Sequence, residues 1–252
     1  MKSSTPLISC LCVTHGKPVL LQRALNCFMA QTYENKELII VYEDDDALTA
    51  NWLLKINDEN VKKVKVKKTA KINLGELRNI AIKNATGQFV CQWDDDDWYH
   101  IGRLEYQFEV IKSTGAIGSI MTRWIVFDTT TQKAYLSNQR LWEGSILCKK
   151  NVITEKMYEN QKMGEDTAVI NYLFASKKIA IIDNAPNLYI YVYHGMNTWD
   201  YDHWSLFFKM SDELSIKDSQ KIKDLLDSDS AITDSSFILD NILNNPIFEE
   251  YE

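Results

Sequence analysis

The chemistry this chain can do is concentrated in its acids. Asp94, Asp95, Asp96 and Asp97 stand side by side between Gly87-Gln88-Phe89-Val90-Cys91-Gln92-Trp93 and Trp98-Tyr99. Each neighbour raises the cost of ionising the next, so the run is tolerable as a fully solvated loop or as a site that a cation holds together. Trp93, Trp98 and Tyr99 are large rings that usually want burial, which favours acids lining a cleft over acids decorating a tip. A second run, Glu43-Asp44-Asp45-Asp46, and a later pair, Glu165-Asp166, add carboxylates, and His194 adds an imidazole beside Gly195 and near Trp199 and His203. Neither run has the spaced acids, internal Gly and closing Glu of an EF-hand loop. Walker A, GxGxxG, Gx-Ser-xG and HExxH patterns are also absent, which removes the usual support for P-loop, dinucleotide, serine-hydrolase and zinc-protease chemistry. Oxygen-rich ligation remains, and it selects Mg or Mn working through substrate phosphates.

The order of the apolar runs shows how these acids are positioned. Leu7 to Val13 is nearly continuous and ends at Thr14-His15-Gly16, as a central parallel strand turning into a loop would. Pro18 opens a helix in which Leu20, Leu21, Ala24, Leu25, Phe28 and Met29 recur at helical spacing. Lys36 to Tyr42 is a strand running into Glu43, and Phe89 to Trp93 is another running into Asp94. An alternating strand and helix order implies parallel strands, and these put both acidic tips on one sheet edge, where open α/β sheets bind ligands. After a short helix from Ala47 to about Ile56, Val61 to Lys68 partly alternates valine with lysine; lysines suit an edge strand better than an anion site. Asn73 and Glu76 have capping-box spacing ahead of an inward face of Leu77, Ile80, Ala81 and Ala85, and such a helix start also offers N–H groups to an anion. Arg78 and Asn79 either reach the cleft or stay solvated.

Past the acids, Arg103 to Ile111 reads as helix, Ile117 to Phe127 as strand and Thr129 to Lys133 as turn, and Trp142 and Glu143 precede a further strand. The alternation breaks down from about residue 115, so this half is expected to close over the first, where an acceptor would lie. Met163-Gly164-Glu165-Asp166 starts a helix with Ala168, Val169, Tyr172 and Leu173 inward. The helix dipole favours acids there, so capping is the plain account of both. Ile179 to Ile182 and Leu188 to Tyr193 are late strands, the second delivering His194. From about Ser215 the chain is polar with scattered Leu and Ile, the pattern of one or two loosely packed helices.

At 252 residues and 45% hydrophobic content, the chain can bury a substantial core as one domain with a tail. A net charge of -7 argues against nucleic acid as a partner. Cys10, Cys12, Cys27, Cys91 and Cys148 are odd in number and include no CxxC pair, so they read as reduced core residues of a cytosolic protein. No stretch approaches the ~18 apolar residues of a spanning helix. The expected location is cytoplasmic, either free or peripheral at the inner face of the cell membrane.

Taken in order, these pieces resemble the family 2 glycosyltransferases of the GT-A fold across most of residues 6 to 200. Ile8 to Thr14 with its loop is similar to the family's first strand, Gln31-Thr32-Tyr33 to its QTY turn, and Glu37 to Asp45 to its second strand and nucleotide-contacting acids. Asn73-Leu74-Gly75 with Arg78-Asn79 resembles the N-x-G and RN segment, Ala85-Thr86-Gly87 the A-x-G, and Asp94 to Asp97 the DxDD signature. The resemblance implies an α/β fold: a GT-A, Rossmann-like, mostly parallel sheet flanked by helices, with an acceptor-side second half and a helical C-terminal tail. It implies one domain over residues 1–252, with a nucleotide-sugar half over about 6–114, an acceptor and catalytic-base half over about 115–214, and the tail over about 215–252.

The implied reaction moves a sugar, with inversion, from a nucleotide-diphosphate sugar, a UDP-sugar foremost, to a hydroxyl of a glycan or lipid-linked acceptor, with Mg or Mn, as in bacterial surface polysaccharide synthesis. Thr14, Glu43, Asn73, Arg78, Asp94 and Asp95 would then bind the nucleotide sugar, with Glu43 toward the base and Asp94 near the ribose. Asp96 would hold the metal with Asp97 and His194 assisting, and Glu165-Asp166 resembles the ED motif, which implies Asp166 as catalytic base beside Glu165. The chain departs from the family at Tyr42 and Glu43, and at Val13, His15 and Gly16 in place of the PTYN loop. Trp142 and Trp199 either stack on sugar rings or pack a lid. The alternative is a non-catalytic carbohydrate or divalent-cation binding module on the same fold.

Overall fold

The computed structural model describes residues 5–175, 178–228, 231–244 and 247. Strands β1 (Ile8–Thr14), β2 (Lys36–Glu43), β3 (Val61–Val66) and β4 (Phe89–Gln92) lie parallel in the spatial order β4-β1-β2-β3. Helices α1 (Pro18–Met29), α2 (Ala47–Leu53) and α3 (Leu74–Asn84) make the crossovers. Alternate residues enter opposite cores. Cys10, Cys12, Leu38 and Ile40 pack with Leu21, Leu25 and Phe28 of α1, whereas Leu11, Ile39 and Val41 pack with Leu77, Ala81 and Ile82 of α3. Burial on both faces is why these strands read as unbroken apolar runs. The valine-lysine strand β3 is the sheet edge, as its lysines suggested. Because β1, β2 and β4 run the same way, Thr14, Glu43 and Asp94 emerge along one edge.

The second half does more than close over the first. Its strands β6 (Gly118–Met121), β9 (Leu147–Lys149) and β10 (Ile179–Ile182) extend the same sheet to seven strands, with β9 antiparallel between β4 and β6. A five-stranded sheet is built from β5 (Trp98–Tyr99), β7 (Ile125–Asp128), β8 (Lys133–Leu136), β11 (Tyr189–Tyr193) and β12 (Asp212–Glu213), in the order β12-β8-β7-β11-β5. The strand expected over Ile117 to Phe127 is therefore two strands in two sheets. The chain changes sheets at residues 122–124, where the Thr122 N–H bonds the Ile182 carbonyl and the Trp124 N–H bonds the Ser137 hydroxyl.

The remaining helices are α4 (Arg103–Thr114), α5 (Lys150–Glu155), α6 (Thr167–Ala175), α7 (Tyr201–Met210), α8 (Ile216–Asp227) and α9 (Ile232–Leu243). On α1, Cys27 takes the buried place expected for Met29, which stays exposed one step past Phe28. The tail is not loosely packed. Ile222 of α8 and Leu239 of α9 are fully buried, the Ile101 N–H donates to the Ser236 hydroxyl at 3.1 Å, and the Asn187 amide donates to Asp240. All five cysteines are buried free thiols. Among the described residues no helix is long and apolar enough to cross a membrane.

Candidate active site

A cleft of about 850 Å³ opens at the C-terminal ends of β1, β2 and β4. Thr14, Lys17, Glu43, Arg78 and Asp94 to Asp96 face one side of it, and Glu143, Asp166, Trp199 and Phe207 the other. Asn73 lines it as well, but Asp97 and His194 do not.

The four aspartates are not left to repel one another, because each has at least one partner, with Lys17 shared between two of them. Asp94 accepts from Arg78 Nη1 at 3.2 Å and from the Gln92 amide at 2.7 Å. Lys17 Nζ lies 2.9 Å from Asp95 Oδ1 and 2.7 Å from Asp96 Oδ2, and His194 Nε2 meets the same Asp96 oxygen at 2.9 Å. Asp97 turns away from the cleft into the core, accepting from the Tyr189 hydroxyl at 2.5 Å and the Val192 N–H at 2.9 Å. Their acidities diverge accordingly. Burial, followed by the charge of Asp96, pushes Asp95 up to about 6 and Asp97 well above the carboxylate range. Burial also opposes ionisation of Asp96, but the His194 hydrogen bond and the Lys17 charge outweigh it and pull this carboxyl well below its ordinary value.

This arrangement bears on the expected metal ligands. Asp97 has both oxygens committed to the core. His194 Nδ1 accepts the Met196 N–H at 3.2 Å, so the ring proton sits on Nε2 and points at Asp96. Ligation through Nε2 would require that proton on Nδ1, against another donor. Asp96 Oδ2 already takes two donors, one of them a full positive charge. As built, Asp97 anchors in the core and His194 orients Asp96, whereas Asp95 Oδ2 is buried with no hydrogen-bond partner among the described residues, the kind of oxygen a divalent cation would use.

On the opposite wall, Gly164 adopts a left-handed φ of +70°, which turns the chain just before Glu165 and Asp166. The two acids then part. Glu165 is buried at the cleft wall and accepts from Arg78 Nε at 2.8 Å, so it tethers its loop to α3. Asp166 is half-buried in the cleft wall, and among the described residues its carboxylate has no hydrogen-bond or ion-pair partner. Neither acid caps the helix with its side chain; α6 starts at Thr167, and carbonyls of Gly164 and Asp166 receive its first N–H groups.

The same loop docks on the start of α3. Asn79 donates to the Tyr158 carbonyl and accepts from its N–H, both at 2.9 Å. Asn73 bonds Asn160 through both its backbone and its amide, and Glu76 pairs with Lys83, so the capping box does not form. Gly75 permits this contact, since a Cβ there would lie 1.7 Å from the Glu159 carbonyl oxygen.

Of the second acidic run only Glu43 reaches the cleft, 3.5 Å from Lys68 Nζ. Asp44 accepts the Lys68 N–H, and Asp46 accepts from Thr49 and Gly16, fixing the loop after β1. The wall opposite Asp94 to Asp96 is aromatic. Trp199 stacks on His203 with centroids 4.1 Å apart, and Arg140 lies over Trp142 and Phe207 while forking onto Glu143. Sequence reasoning passed over Lys17, Arg140 and Phe207. Only the position of Lys17, between Gly16 and Pro18 at a strand-to-helix turn on the ligand edge, could have flagged one of them.

The family described as "Glycosyl transferase family 2" matches residues 9–182. The chain is 28% identical over 105 residues, 42% of its length and 41% of the relative's, to the Escherichia coli UDP-Glc:alpha-D-GlcNAc-diphosphoundecaprenol beta-1,3-glucosyltransferase WfgD. It spans 17 to 60% of the length of the curated relatives it matches. In fold it is similar to S. aureus TarS residues 1–349 in complex with UDP-GlcNAc, with a TM-score of 0.65, 16% identity, and coverage of 94% of this chain and 71% of that one. It is similar also to the mannosyltransferase PcManGT from Pyrobaculum calidifontis in complex with GDP-Man and Mn2+, with a TM-score of 0.60, 12% identity, and coverage of 95% and 70%.

Proposed function

The chain belongs to glycosyl transferase family 2, and we propose that it transfers a sugar from a UDP-sugar to a hydroxyl of a glycan or lipid-linked acceptor, with inversion, in surface polysaccharide synthesis. One observation carries the reading. Of the two adjacent acids on the acceptor-side wall, Glu165 is tied to Arg78, whereas Asp166 presents, across the cleft from Asp94 to Asp96, a carboxylate with no partner among the described residues. A hydroxyl nucleophile must lose its proton as it attacks, and a single positioned carboxylate suffices for one in-line displacement.

In this proposal the nucleotide lies along the ends of β1, β2 and β4. Glu43, at 13% side-chain exposure, accepts from a base N–H, and Asp94 meets the ribose. Lys17 and Arg78 supply positive charge where the diphosphate leaves. The UDP-sugar assignment is supported by WfgD, named for UDP-Glc, and by TarS, similar in fold and in complex with UDP-GlcNAc. On the far wall Trp199 and Phe207 offer ring faces to the acceptor sugar.

The test is a pair of conservative substitutions. Asp166→Asn keeps size and neutralises the base, so turnover falls by about 100-fold or more while uridine diphosphate binds with near-native affinity. Glu165→Gln loses a buried ion pair and so lowers stability more than it lowers turnover at temperatures where it is folded. Near-native transfer by Asp166→Asn would remove the base from this residue.

A further inference from the structure

One stretch of the molecule carries the opposite charge to the rest. Residues 54–72 hold seven lysines against Asp58 and Glu59 alone, a net of +5 in a chain whose total is -7, and no acid occurs between Asn60 and Gly75. All seven lysines are exposed. The alternation of β3 sorts them by side. Val61 enters the core shared with α1 and α2, whereas Val64 and Val66 pack on the α3 side, so Lys63 and Lys65 lie on the α2 side and Lys62 on the other. Their contacts agree. Lys63 Nζ donates to the Ile56 carbonyl just past α2, and Lys62 Nζ donates to the Asn84 carbonyl at the end of α3 at 2.9 Å. Both acceptors are neutral, so neither contact cancels a charge.

The same side bares aliphatic groups. Helix α2 turns Thr49 and Leu53 inward and presents Leu48, 67% exposed, with Leu54, 82% exposed, next to Lys55. Val19 of α1, 81% exposed, shares the wall of one cavity with Leu48 and Lys55. Guarding a sheet edge accounts for lysine on β3, but not for an acid-free run that continues past the strand, nor for three bared aliphatic side chains beside it. We infer that this face, the α2 side of β3 with the outer face of α2, docks on an anionic lipid bilayer: its lysines meet headgroup phosphates while Leu48 and Leu54 enter the acyl boundary. Screening makes the local charge decisive. At physiological salt an exposed charge is felt over about 8 Å, so the basic patch meets the surface and the acids elsewhere on the chain do not. A soluble polyanion would satisfy the lysines and gain nothing from the aliphatic groups. At its far end the patch reaches the cleft, with Lys68 Nζ 2.9 Å from Asp45 and 3.5 Å from Glu43, so docking holds the nucleotide end of the cleft beside the membrane.

Co-sedimentation of the full chain with lipid vesicles tests this, with no nucleotide or acceptor present, so its outcome is separate from that of the transfer assays. In about 0.1 M NaCl the chain should bind phosphatidylcholine vesicles containing about 30% phosphatidylglycerol at least about tenfold more tightly than pure phosphatidylcholine vesicles, and about 0.5 M NaCl should remove most of that difference. Lys63→Gln/Lys65→Gln/Lys67→Gln should weaken binding to the anionic vesicles by about tenfold or more. Lys112→Gln/Lys209→Gln/Lys217→Gln, the same change in net charge on α4, α7 and α8, should weaken it by less than about threefold, because those charges lie outside the docked face. All six lysines are exposed, so both variants should fold. Leu54→Ser should cost about threefold or more and leave the salt dependence unchanged. Equal binding to the two vesicle types, binding to neither, equal loss in the two lysine variants, or Leu54→Ser binding as tightly as wild type overturns the inference. Soluble polyglutamate that displaces the chain from anionic vesicles at equal anion concentration would assign the face to an acidic polymer and overturn it as well.

Discussion

Arg78 is the residue whose loss the architecture should tolerate least. Its guanidinium joins Asp94, at the end of β4, to Glu165, on the loop that carries Asp166, with contacts of 3.2 and 2.8 Å. Arg78→Met removes one charge and strands two carboxylates, of which Glu165 is 3% exposed. Each can respond in only two ways. It stays ionised without a partner, or it takes up a proton, which at pH 7 costs about 4 kcal/mol for a group whose ordinary pKa lies about 3 units lower. Protonation thus sets a ceiling, and the combined loss should fall at about 3 to 5 kcal/mol, the usual scale for breaking a buried pair. The pH dependence follows from the same step. Burial already raises both carboxyls in the folded protein, and losing Arg78 raises them further, so in the variant stability is fullest below the unfolded values and is lost as pH rises through the folded ones. The deficit should therefore shrink between pH 7 and pH 5, by up to about 1.4 kcal/mol per pH unit for each carboxylate. Urea unfolding at both pH values measures this, and Arg78→Met/Glu165→Gln should recover part of the loss by removing one stranded charge. A deficit below about 1 kcal/mol at pH 7, or one as large at pH 5, would refute the account.

Two further outcomes are open to measurement. Gly75→Ala places a methyl 1.7 Å from the Glu159 carbonyl, a backbone atom that cannot swing aside; stability should fall by about 1 to 3 kcal/mol and turnover with it, because the docked loop positions Asp166. Unfolding curves and transfer rates that both match wild type would show that this contact does not hold the loop. For Asp95, the folded pKa is raised to about 6, mainly by burial, so its stability contribution is complete below the unfolded value and is lost as pH rises through about 6. Asp95→Asn should flatten the stability profile between about pH 4 and 6, and its effect at pH 7 should be more favourable than at pH 4 by up to about 3 kcal/mol; an unchanged slope would mean that Asp95 ionises normally.

The fold was legible wherever burial is two-sided. Leu38 to Val41 and Ile8 to Cys12 announce central strands because no position on them faces water, and Val61 to Val66 announces an edge because its lysines do. Legibility failed for the place of an element too short to have a period: a strand after Glu143 was expected, but not its neighbours. Leu147–Lys149 is three residues long, yet it separates β4 from β6 and reverses the strand direction locally. It failed also where one apolar run serves two sheets: nothing between Ile117 and Phe127 says that the chain leaves one sheet at Met121 and enters the other at Ile125. The tail looked loose because its polar residues dominate, although Ser236 and Asp240 are polar groups spent on buried contacts with Ile101 and Asn187.

The site shows a different boundary. Residue types told which groups could do chemistry and on which sheet edge they would lie, but not which of several identical acids would do it. Asp94 to Asp97 are one residue type in one run, and their roles are set by partners far away in sequence: Arg78 for Asp94, Lys17 for Asp95 and Asp96, and Tyr189 with the Val192 N–H for Asp97. The expectation that four adjacent carboxylates are either fully solvated or held together by a cation left out the counter-charge the chain itself supplies. It supplies two cations and a histidine proton, and each arrives through packing of a different element: the corner before α1, the start of α3 and the loop after β11. The same logic splits Glu165 from Asp166. A guanidinium that holds one carboxylate leaves the other, among the described residues, without a partner, and under the proposed function it is Arg78, 87 residues from the acid it restrains, that tells the two apart.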